Sequence, residues 1–279
     1  MRRISALILV AFLLIHCPAF GQDMERPTST NTEAIAGYDC LFIGHSFFIP
    51  VAQRFERLPE ACGVEDHSQK TVFSGGQSGS PGELWRGGKR TEIQAILETG
   101  EIELLGMTYY DPTNSSLEDY KRWIDDALEH NPNTAFFIGL PWGLNGARRD
   151  LEEYEKVGQI TNESLYRTVL ELRRLYPDNT ILYAYYGMAS VELKRLYEAG
   201  DLPDVENAVG PSGLYRDGMG HASNILKDLA ALIWLESLYE IDLTECDLDL
   251  EYETDLMQVA EEIVAEQPDK QLQLEEASN

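Results

Sequence analysis

The chain has 279 residues and a formal charge of −26, with 48 acidic residues against 22 basic ones. Such a surface repels phosphate backbones and anionic lipid headgroups, so the composition excludes a nucleic-acid partner. Beyond the N-terminal region no run of about 18 apolar residues occurs, which excludes a membrane-spanning helix from the mature chain. The chain is long enough for one domain with a well-buried core.

The N-terminal region has the pattern of a secretory signal peptide over residues 1–21. A basic start is followed by a short apolar run that ends near Ile15, and small residues precede Gln22. Residues 22–36 are rich in Thr, Ser, Glu and Asn, which predicts a flexible leader. We therefore expect a secreted or periplasmic protein whose folded domain covers residues 37–245.

Short apolar runs alternate with helical segments along this domain. Five runs predict β-strands, at Tyr38–Gly44, Lys70–Phe73, Ile102–Tyr109, Thr134–Leu140 and Thr180–Tyr186. Apolar residues at helical spacing predict helices over Val51–Ala61, Glu92–Leu97, Leu117–Glu129, Tyr154–Leu175, Val191–Glu198 and Ala222–Leu238. The alternation predicts an α/β protein, with a parallel five-stranded sheet covered by helices on both faces.

The C-terminal segment and the cysteines complete this outline. Residues 246–279 carry eleven acidic residues and one Lys, which predicts an acidic tail with a short helix near Leu256–Val264 and disorder beyond it. Of the cysteines after the signal peptide, Cys40, Cys62 and Cys246, two can form a disulfide, and they lack metal-ligand spacing. Cys40 lies in an apolar strand and is expected to remain a buried thiol.

Ser46 is the candidate nucleophile. In parallel α/β folds ligands bind at the carboxyl ends of the strands, and Ser46 follows the first predicted strand directly. Its hydroxyl is expected to face the crevice, with its amide near the start of the next helix. A hydroxyl is a weak nucleophile and needs a base. The alternative is that Ser46 only caps that helix.

His221 is the candidate base. It lies four residues after Asp217 in a glycine-rich loop, so the carboxylate can orient the imidazole as triad chemistry requires. The alternative is that Asp217 forms an Asx-turn and His221 caps the last helix. His45 is adjacent to Ser46, but neighbouring strand-end side chains point apart, so it is expected to line the pocket rather than act as base. His67 and His130 lie in polar segments and are expected at the surface.

Donors for a developing oxyanion are expected from two segments. The glycine-rich loop 74–80 can present backbone amides to a ligand, and Asn114, after the third strand, can offer a side-chain amide. The loop lacks the Lys of a phosphate-binding P-loop, which argues against nucleotides. His and Cys residues form no ligand cluster, so neither a metal nor another cofactor is expected.

Together these residues resemble the SGNH (GDSL-like) hydrolase superfamily. Phe42-Ile43-Gly44-His45-Ser46 is similar to its first block, and Gly76-Gln77-Ser78-Gly79 to its second, whose glycine amide helps to form the oxyanion hole. Asp217 and His221 are similar to the last block. The resemblance covers residues 38–240 and implies a doubly wound, flavodoxin-like three-layer α/β/α fold. It assigns the oxyanion glycine to Gly79, with Gly76 as the second choice.

The sequence departs from this family in two places. The usual Asp-x-x-His spacing is one residue longer, and the Gly-x-Asn-Asp block is absent. By position Asn114 is the substitute for the missing Asn, while Thr108, Asn145 or no side chain at all are alternatives. We therefore expect a divergent branch of the family.

The resemblance implies an ester hydrolase that forms an acyl-enzyme on Ser46. The amides of Ser46 and Gly79, with Asn114, would hold the oxyanion. Exported members often deacylate carbohydrates, so His45, Gly76, Tyr109 and Trp142 are expected to contact a small-molecule or carbohydrate ester. The aromatic residues Trp85, Tyr109, Tyr110 and Trp142 either form a sugar platform or pack in the core. The alternative function is a non-catalytic carbohydrate- or ligand-binding protein on the same fold.

Overall fold

The computed structural model describes residues 35–271. The predicted signal peptide and residues 22–34 of the predicted leader lie outside this range. Within it, no helix combines the length and the apolar character needed to cross a bilayer.

A five-stranded parallel sheet forms the centre of the domain. Its strands are β1 (Asp39–Gly44), β2 (Ser68–Phe73), β3 (Leu104–Thr108), β4 (Ala135–Gly139) and β5 (Ile181–Ala184). They lie in the order β2-β1-β3-β4-β5, the flavodoxin-like arrangement, which confirms the predicted fold class. The inner strands are apolar except for Asp39 and Thr108 at their ends, because helices cover both faces of the sheet.

Nine helices accompany the sheet within residues 35–271. They are α1 (Ile49–Phe55), α2 (Leu58–Ala61), α3 (Pro81–Arg86), α4 (Arg90–Leu97), α5 (Leu117–His130), α6 (Leu151–Leu175), α7 (Met188–Ala199), α8 (Asn224–Tyr239) and α9 (Leu256–Ala265). The helices α1 and α8 pack together, as do α5 and α6, and α7 contacts both α6 and α8. Short 3₁₀ turns occupy Gly76–Gly79, Gly146–Arg148 and Leu243–Glu245.

The register of the strands places the ends of β1, β2 and β3 at one edge of the sheet. Gly44 pairs with Phe73 on one side of β1, and Ile43 pairs with Met107 on the other. Because the strand order reverses at β1, the chain leaves β1 and β3 in opposite directions and opens a crevice between them. The segments that follow these two strands therefore face each other across the expected ligand-binding edge.

One predicted helix differs from the structure, and one helix of the structure was not predicted. The helix expected over Val51–Ala61 is divided into α1 and α2, because Pro59 has no N–H to donate to the carbonyl four residues before it. The helix α3 was not predicted. Its start is nevertheless marked in the sequence, since Ser80 accepts a hydrogen bond from the Glu83 N–H as an N-cap and Pro81 occupies the first turn.

The opposite edge of the sheet, where the strands begin, is closed by two links. Ile35–Ala36, the last two residues of the predicted leader, pair in parallel with Val64–Glu65. A disulfide joins Cys62 to Cys246, with a Cα–Cα distance of 4.4 Å. Cys40 is a buried thiol.

The C-terminal segment packs against the domain more closely than the predicted acidic tail implies. The helix α9 lies on α8 and buries Leu256, Ile263 and Val264. Beyond α9, Gln267 is 6% exposed and Asp269 forms an ion pair with Arg173 at 2.7 Å. The predicted helix near residue 256 is present, and the predicted disorder does not extend over residues 266–271. Packing of this kind stabilises α8, whose apolar residues face outward as well as towards the sheet.

Candidate active site

Ser46 lies in a tight turn directly after β1. The N–H groups of Phe48 and Ile49 both donate to the carbonyl of His45 at 3.0 Å, which turns the chain from the strand into α1. Ser46 is half-buried, with its side chain at the carboxyl edge of the sheet. Among residues 35–271 its own N–H has no hydrogen-bond acceptor. This amide is therefore available to a ligand.

His221 and Asp217 form a hydrogen-bonded chain with Ser46. Nε2 of His221 lies 3.0 Å from Oγ of Ser46, and Nδ1 lies 2.7 Å from Oδ2 of Asp217. A carboxylate only accepts hydrogen bonds, so the network assigns the imidazole proton to Nδ1 and leaves the Nε2 lone pair towards the serine hydroxyl. Three residues predicted as catalytic are thus brought together across 175 positions of sequence.

The two oxygens of Asp217 have different partners. Oδ1 accepts the N–H of Met219 at 3.0 Å and that of His221 at 3.3 Å, which is an Asx-turn, while Oδ2 contacts the imidazole. Desolvation alone would raise the pKa of Asp217, but the hydrogen bonds from His221 and Met219 lower it below its ordinary value. Asp217 therefore contacts the imidazole and forms an Asx-turn at the same time, so the two interpretations of this residue are compatible. The turn also accommodates the additional residue between the Asp and the His.

Buried aromatic residues hold the loop that carries His221. Tyr215 is fully buried and its hydroxyl lies 2.6 Å from that of Ser190. The indole N–H of Trp142 donates to the carbonyl of Gly220 at 2.8 Å, and its ring stacks on Phe47 at 5.3 Å. Phe47 meets the His221 ring edge to face at 5.2 Å. The imidazole is thus held in place by Phe47 and, through Gly220, by Trp142 of the loop after β4.

His45 is a buried neutral residue beneath this site. Its Nδ1 accepts the Phe47 N–H at 3.2 Å, so the ring proton lies on Nε2 and is donated to the carbonyl of Tyr109 at 3.0 Å. Burial, opposed in part by the hydrogen bond to Tyr109, lowers the pKa of His45 to about 4. Both ring nitrogens are engaged and the residue is 4% exposed. The structure places His45 between the ends of β1 and β3, where it positions the turn rather than meets solvent.

Gly79 lies against the residue that precedes Ser46. A Cβ at position 79 would clash with the carbonyl of Ser74 and come within 2.7 Å of Cα of His45. Only glycine permits this approach of the loop to the Ser46 turn. Gly76 begins the same 3₁₀ turn with a positive φ of 54°. A Cβ at this position would meet no atom within 4 Å, so Gly76 makes no close approach of this kind. The geometry therefore favours Gly79 over Gly76 as the glycine next to the serine.

The side chain of Asn114 is used elsewhere. Its Nδ2 donates to the carboxylate of Asp111 at 3.1–3.2 Å, and its Oδ1 accepts from Arg86 at 2.8 Å. The expected role of Asn114 as an oxyanion donor therefore finds no support, because its amide is bound within the loop after β3. Of the two alternatives, Thr108 is buried against the carbonyl of Tyr109, and Asn145 is exposed in a left-handed conformation beside the His221 loop.

Tyr109 and Trp142 line a cavity of ≈140 Å³. Ser46, His221 and Asp217, the three aligned residues, do not line it, but Trp142 stacks on Phe47, which contacts His221. Trp142 is 3% exposed, so it forms a wall of the site rather than an open platform. Trp85 is partly buried and meets the core residue Trp123 edge to face instead. Sequence reasoning missed Phe47 and Arg149, which belong to the same region. Adjacency to Ser46 was the available signal for Phe47, and Arg149 had none.

Comparison with known proteins adds to the fold. No family model and no curated protein matches the sequence. The chain is similar to the crystal structure of a DUF4886 family protein from Bacteroides uniformis, with a TM-score of 0.56, 17% identity, and coverage of 82% of this chain and 93% of that one. At this identity the similarity concerns the fold alone.

A second solved structure has a smaller similarity. The periplasmic domain of a lipopolysaccharide acetyltransferase from Salmonella ser. Paratyphi A aligns with a TM-score of 0.35 and 13% identity, over 53% of this chain and 67% of that one. This score is too low to relate the two proteins in fold or function.

Proposed function

We propose that the protein is an exported serine ester hydrolase of the SGNH type that cleaves an acyl or acetyl ester through an acyl-enzyme on Ser46. The observation that supports this proposal is the hydrogen-bonded chain from Ser46 through His221 to Asp217, at 3.0 and 2.7 Å. A helix-capping role for Ser46 explains neither distance. In α1 the Ser46 hydroxyl makes no capping hydrogen bond.

The first half-reaction follows from the positions of the protons. His221 Nε2 removes the proton from Ser46 Oγ as that oxygen attacks the ester carbonyl. Asp217 keeps the imidazole in the required tautomer and stabilises the imidazolium that forms. The imidazolium then donates its proton to the leaving alcohol, and an acyl-Ser46 ester remains. In the second half-reaction His221 removes a proton from water, which attacks the acyl carbonyl. The proton then returns to Ser46 Oγ as it leaves, and the carboxylic acid is released.

The negative charge on the carbonyl oxygen needs donors in place before the reaction. The free N–H of Ser46 supplies one, and the close approach of Gly79 to the Ser46 turn supports its amide as the second. Asn114 is not part of this proposal, because its amide is bound to Asp111. A site with two backbone donors depends more on Gly79 than one with a third, side-chain donor.

The export part of the proposal rests on the cysteines and the N-terminal pattern. Disulfides persist in oxidising compartments and are rare in the cytosol. The pair Cys62–Cys246 supports a periplasmic or extracellular location, as does the predicted signal peptide.

Hydrolysis of p-nitrophenyl acetate by the purified protein tests the chemistry. Ser46→Ala is expected to abolish hydrolysis, whereas Ser164→Ala, which changes an exposed serine of α6, is expected to leave the rate unchanged. A fluorophosphonate is expected to label the protein and the Ser164→Ala variant but not Ser46→Ala. Labelling that persists in Ser46→Ala, or its absence from all three proteins, would show that Ser46 is not an activated nucleophile.

A further inference from the structure

The cavity beside the three aligned residues has an unusual lining for a protein of this charge. Its apolar walls include Leu140, Trp142 and Val157, and its other lining residues include Arg149 and four tyrosines. No Asp or Glu lines it in the part of the chain that the structure describes. The formal charge of the protein is −26, so a cavity with a cation and no carboxylate is a local exception.

Arg149 has no ion-pair partner among the described residues. Within residues 35–271 most arginines lie within 4.0 Å of a carboxylate, as Arg173 does with Asp269. Neither Arg149 nor its neighbour Arg148 forms such a pair in this range, although Arg148 lies against Gly218 of the His221 loop. A guanidinium is always charged and has five donors, so an unpaired one at a cavity wall is a ready partner for an oxyanion.

A tyrosine hydroxyl without a protein partner provides a second, independent donor in the cavity. Tyr185 is 3% exposed and lines the cavity, yet its hydroxyl has no hydrogen-bond partner among residues 35–271. The hydroxyl lies against Gly158 of α6, where a Cβ would overlap it. Because the Tyr185 hydroxyl is not one of the fully buried polar atoms that lack a partner within residues 35–271, it is open to the cavity and can donate to a ligand there. The hydroxyls of Tyr109 and Tyr110 are also unbonded within that range. These three hydroxyls and the Arg149 guanidinium are thus four donor groups on residues that line one small space.

Tyr109 and Tyr185 stay protonated over the physiological range, because the pKa of each is raised. Burial, with a smaller contribution from the charge of Asp111, raises the pKa of Tyr109 to about 12, and burial raises that of Tyr185 as well. Asp111, the nearest acid in sequence, is bound to the amides of Thr113 and Asn114. The cavity therefore presents donors and positive charge to any molecule that enters it.

Two aromatic rings separate the cavity from the reacting groups. Phe47 lies 5.2 Å from the His221 ring and 5.3 Å from that of Trp142, which lines the cavity. A substrate that reaches both must therefore carry its anionic group several bonds away from the ester carbonyl.

We infer that this cavity binds a carboxylate on the remote end of the ester substrate, through Arg149 and the hydroxyls of Tyr109 and Tyr185. This inference rests on the proposed function and narrows its substrate to acidic esters. A neutral acyl chain of the same length leaves the guanidinium without a partner and is a poorer substrate.

Paired esters test the charge requirement. The mono-p-nitrophenyl ester of suberic acid carries a remote carboxylate, and its methyl ester has the same chain without the charge. We expect kcat/KM to be at least tenfold higher for the acid, in line with a charge-assisted hydrogen bond. Arg149→Met is expected to reduce this ratio to near one, and Arg149→Lys to restore part of it. Arg167→Met, on the exposed side of α6, is the matched control and keeps the ratio.

Direct binding separates this inference from the proposed chemistry. Calorimetry with suberate is expected to show binding to the intact protein and to Ser46→Ala, but not to Arg149→Met, whereas dimethyl suberate binds none of them. This result supports the inference even where no ester is cleaved. Equal kcat/KM for the two esters, a preference that survives in a folded Arg149→Met variant, or no binding of suberate would each overturn it.

Discussion

At the carboxyl ends of the strands, side-chain hydrogen bonds align a serine, a histidine and a carboxylate in partly exposed loops. At the amino ends, by contrast, a two-residue ladder joins two segments near the beginning of the domain, and a disulfide joins the second of them to a segment near its end. The first edge is rich in unpaired donors and the second is closed by main-chain and covalent links. The same sheet thus carries the groups of the proposed active site at one edge, while covalent and main-chain links join distant segments at the other.

The difference has a physical cause. Groups that bind a substrate cannot all be satisfied within the protein, so under the proposed function the loops around Ser46 contribute less to stability than their number of polar groups suggests. The helix α8 and the helix α9 that covers it are held by apolar contacts instead. Each fully buried Leu, Ile or Val side chain contributes about 1.5–3 kcal/mol to the free energy of unfolding. Three experiments test this division of roles.

The largest effect is expected at the carboxyl edge. His221→Ala removes the base, and we expect kcat for p-nitrophenyl acetate to fall by about 10⁴-fold or more, because a hydroxyl without a base is a poor nucleophile. The melting temperature is expected to change little. His130→Ala, at the exposed end of α5, is the control and keeps full activity. A His221→Ala variant with a near-normal rate would contradict the assignment of the base.

A smaller effect, confined to stability, is expected at the amino edge. Replacing Cys62 and Cys246 together by Ser opens a link across 184 residues and is expected to lower the free energy of unfolding by about 2–5 kcal/mol. Denaturant titration measures this loss, and kcat/KM at a temperature where the variant is folded is expected to be unchanged. Cys40→Ser, which affects no disulfide, separates the loss of the link from the loss of a thiol. A fall in kcat/KM of the folded double variant would show that the two edges are coupled.

The smallest effect is expected at His45, which lies at the carboxyl edge but affects stability through its pKa. His45 stays neutral in the folded protein down to its pKa of about 4, whereas in the unfolded chain it is protonated below about 6.5. The unfolded state therefore binds more protons between these values, and stability falls as the pH is lowered from 6.5 to 4, by up to about 3 kcal/mol. Above pH 6.5 this contribution is complete and constant.

Urea titrations across this range measure the effect of His45. His45→Asn keeps an acceptor for the Phe47 N–H but does not titrate, so its stability is expected to depend less on pH. An equal pH dependence in the two proteins would show that other groups cause the acid sensitivity.

Much of the candidate site could be read from the sequence because its residues are tied to local patterns. Ser46 ends an apolar strand, and Asp217 and His221 share one glycine-rich loop, so position along the chain was informative. Asn114 also follows a strand, but its amide is held by Asp111 and by Arg86, from a helix that was not predicted. Proximity of this kind has no signature in spacing, because the partner comes from another element.

The sequence by itself determined the alternation of strands and helices, since apolar periodicity reflects which face of each element is buried. It also determined which residue types were available for acyl chemistry. Only the tertiary structure decided that Cys62 pairs with Cys246, that the acidic C-terminal segment covers α8, and that Arg149 and Tyr185 meet at one cavity. Each of these depends on distances between segments far apart in the chain, and such distances are set by packing of the whole domain rather than by any local preference of the backbone.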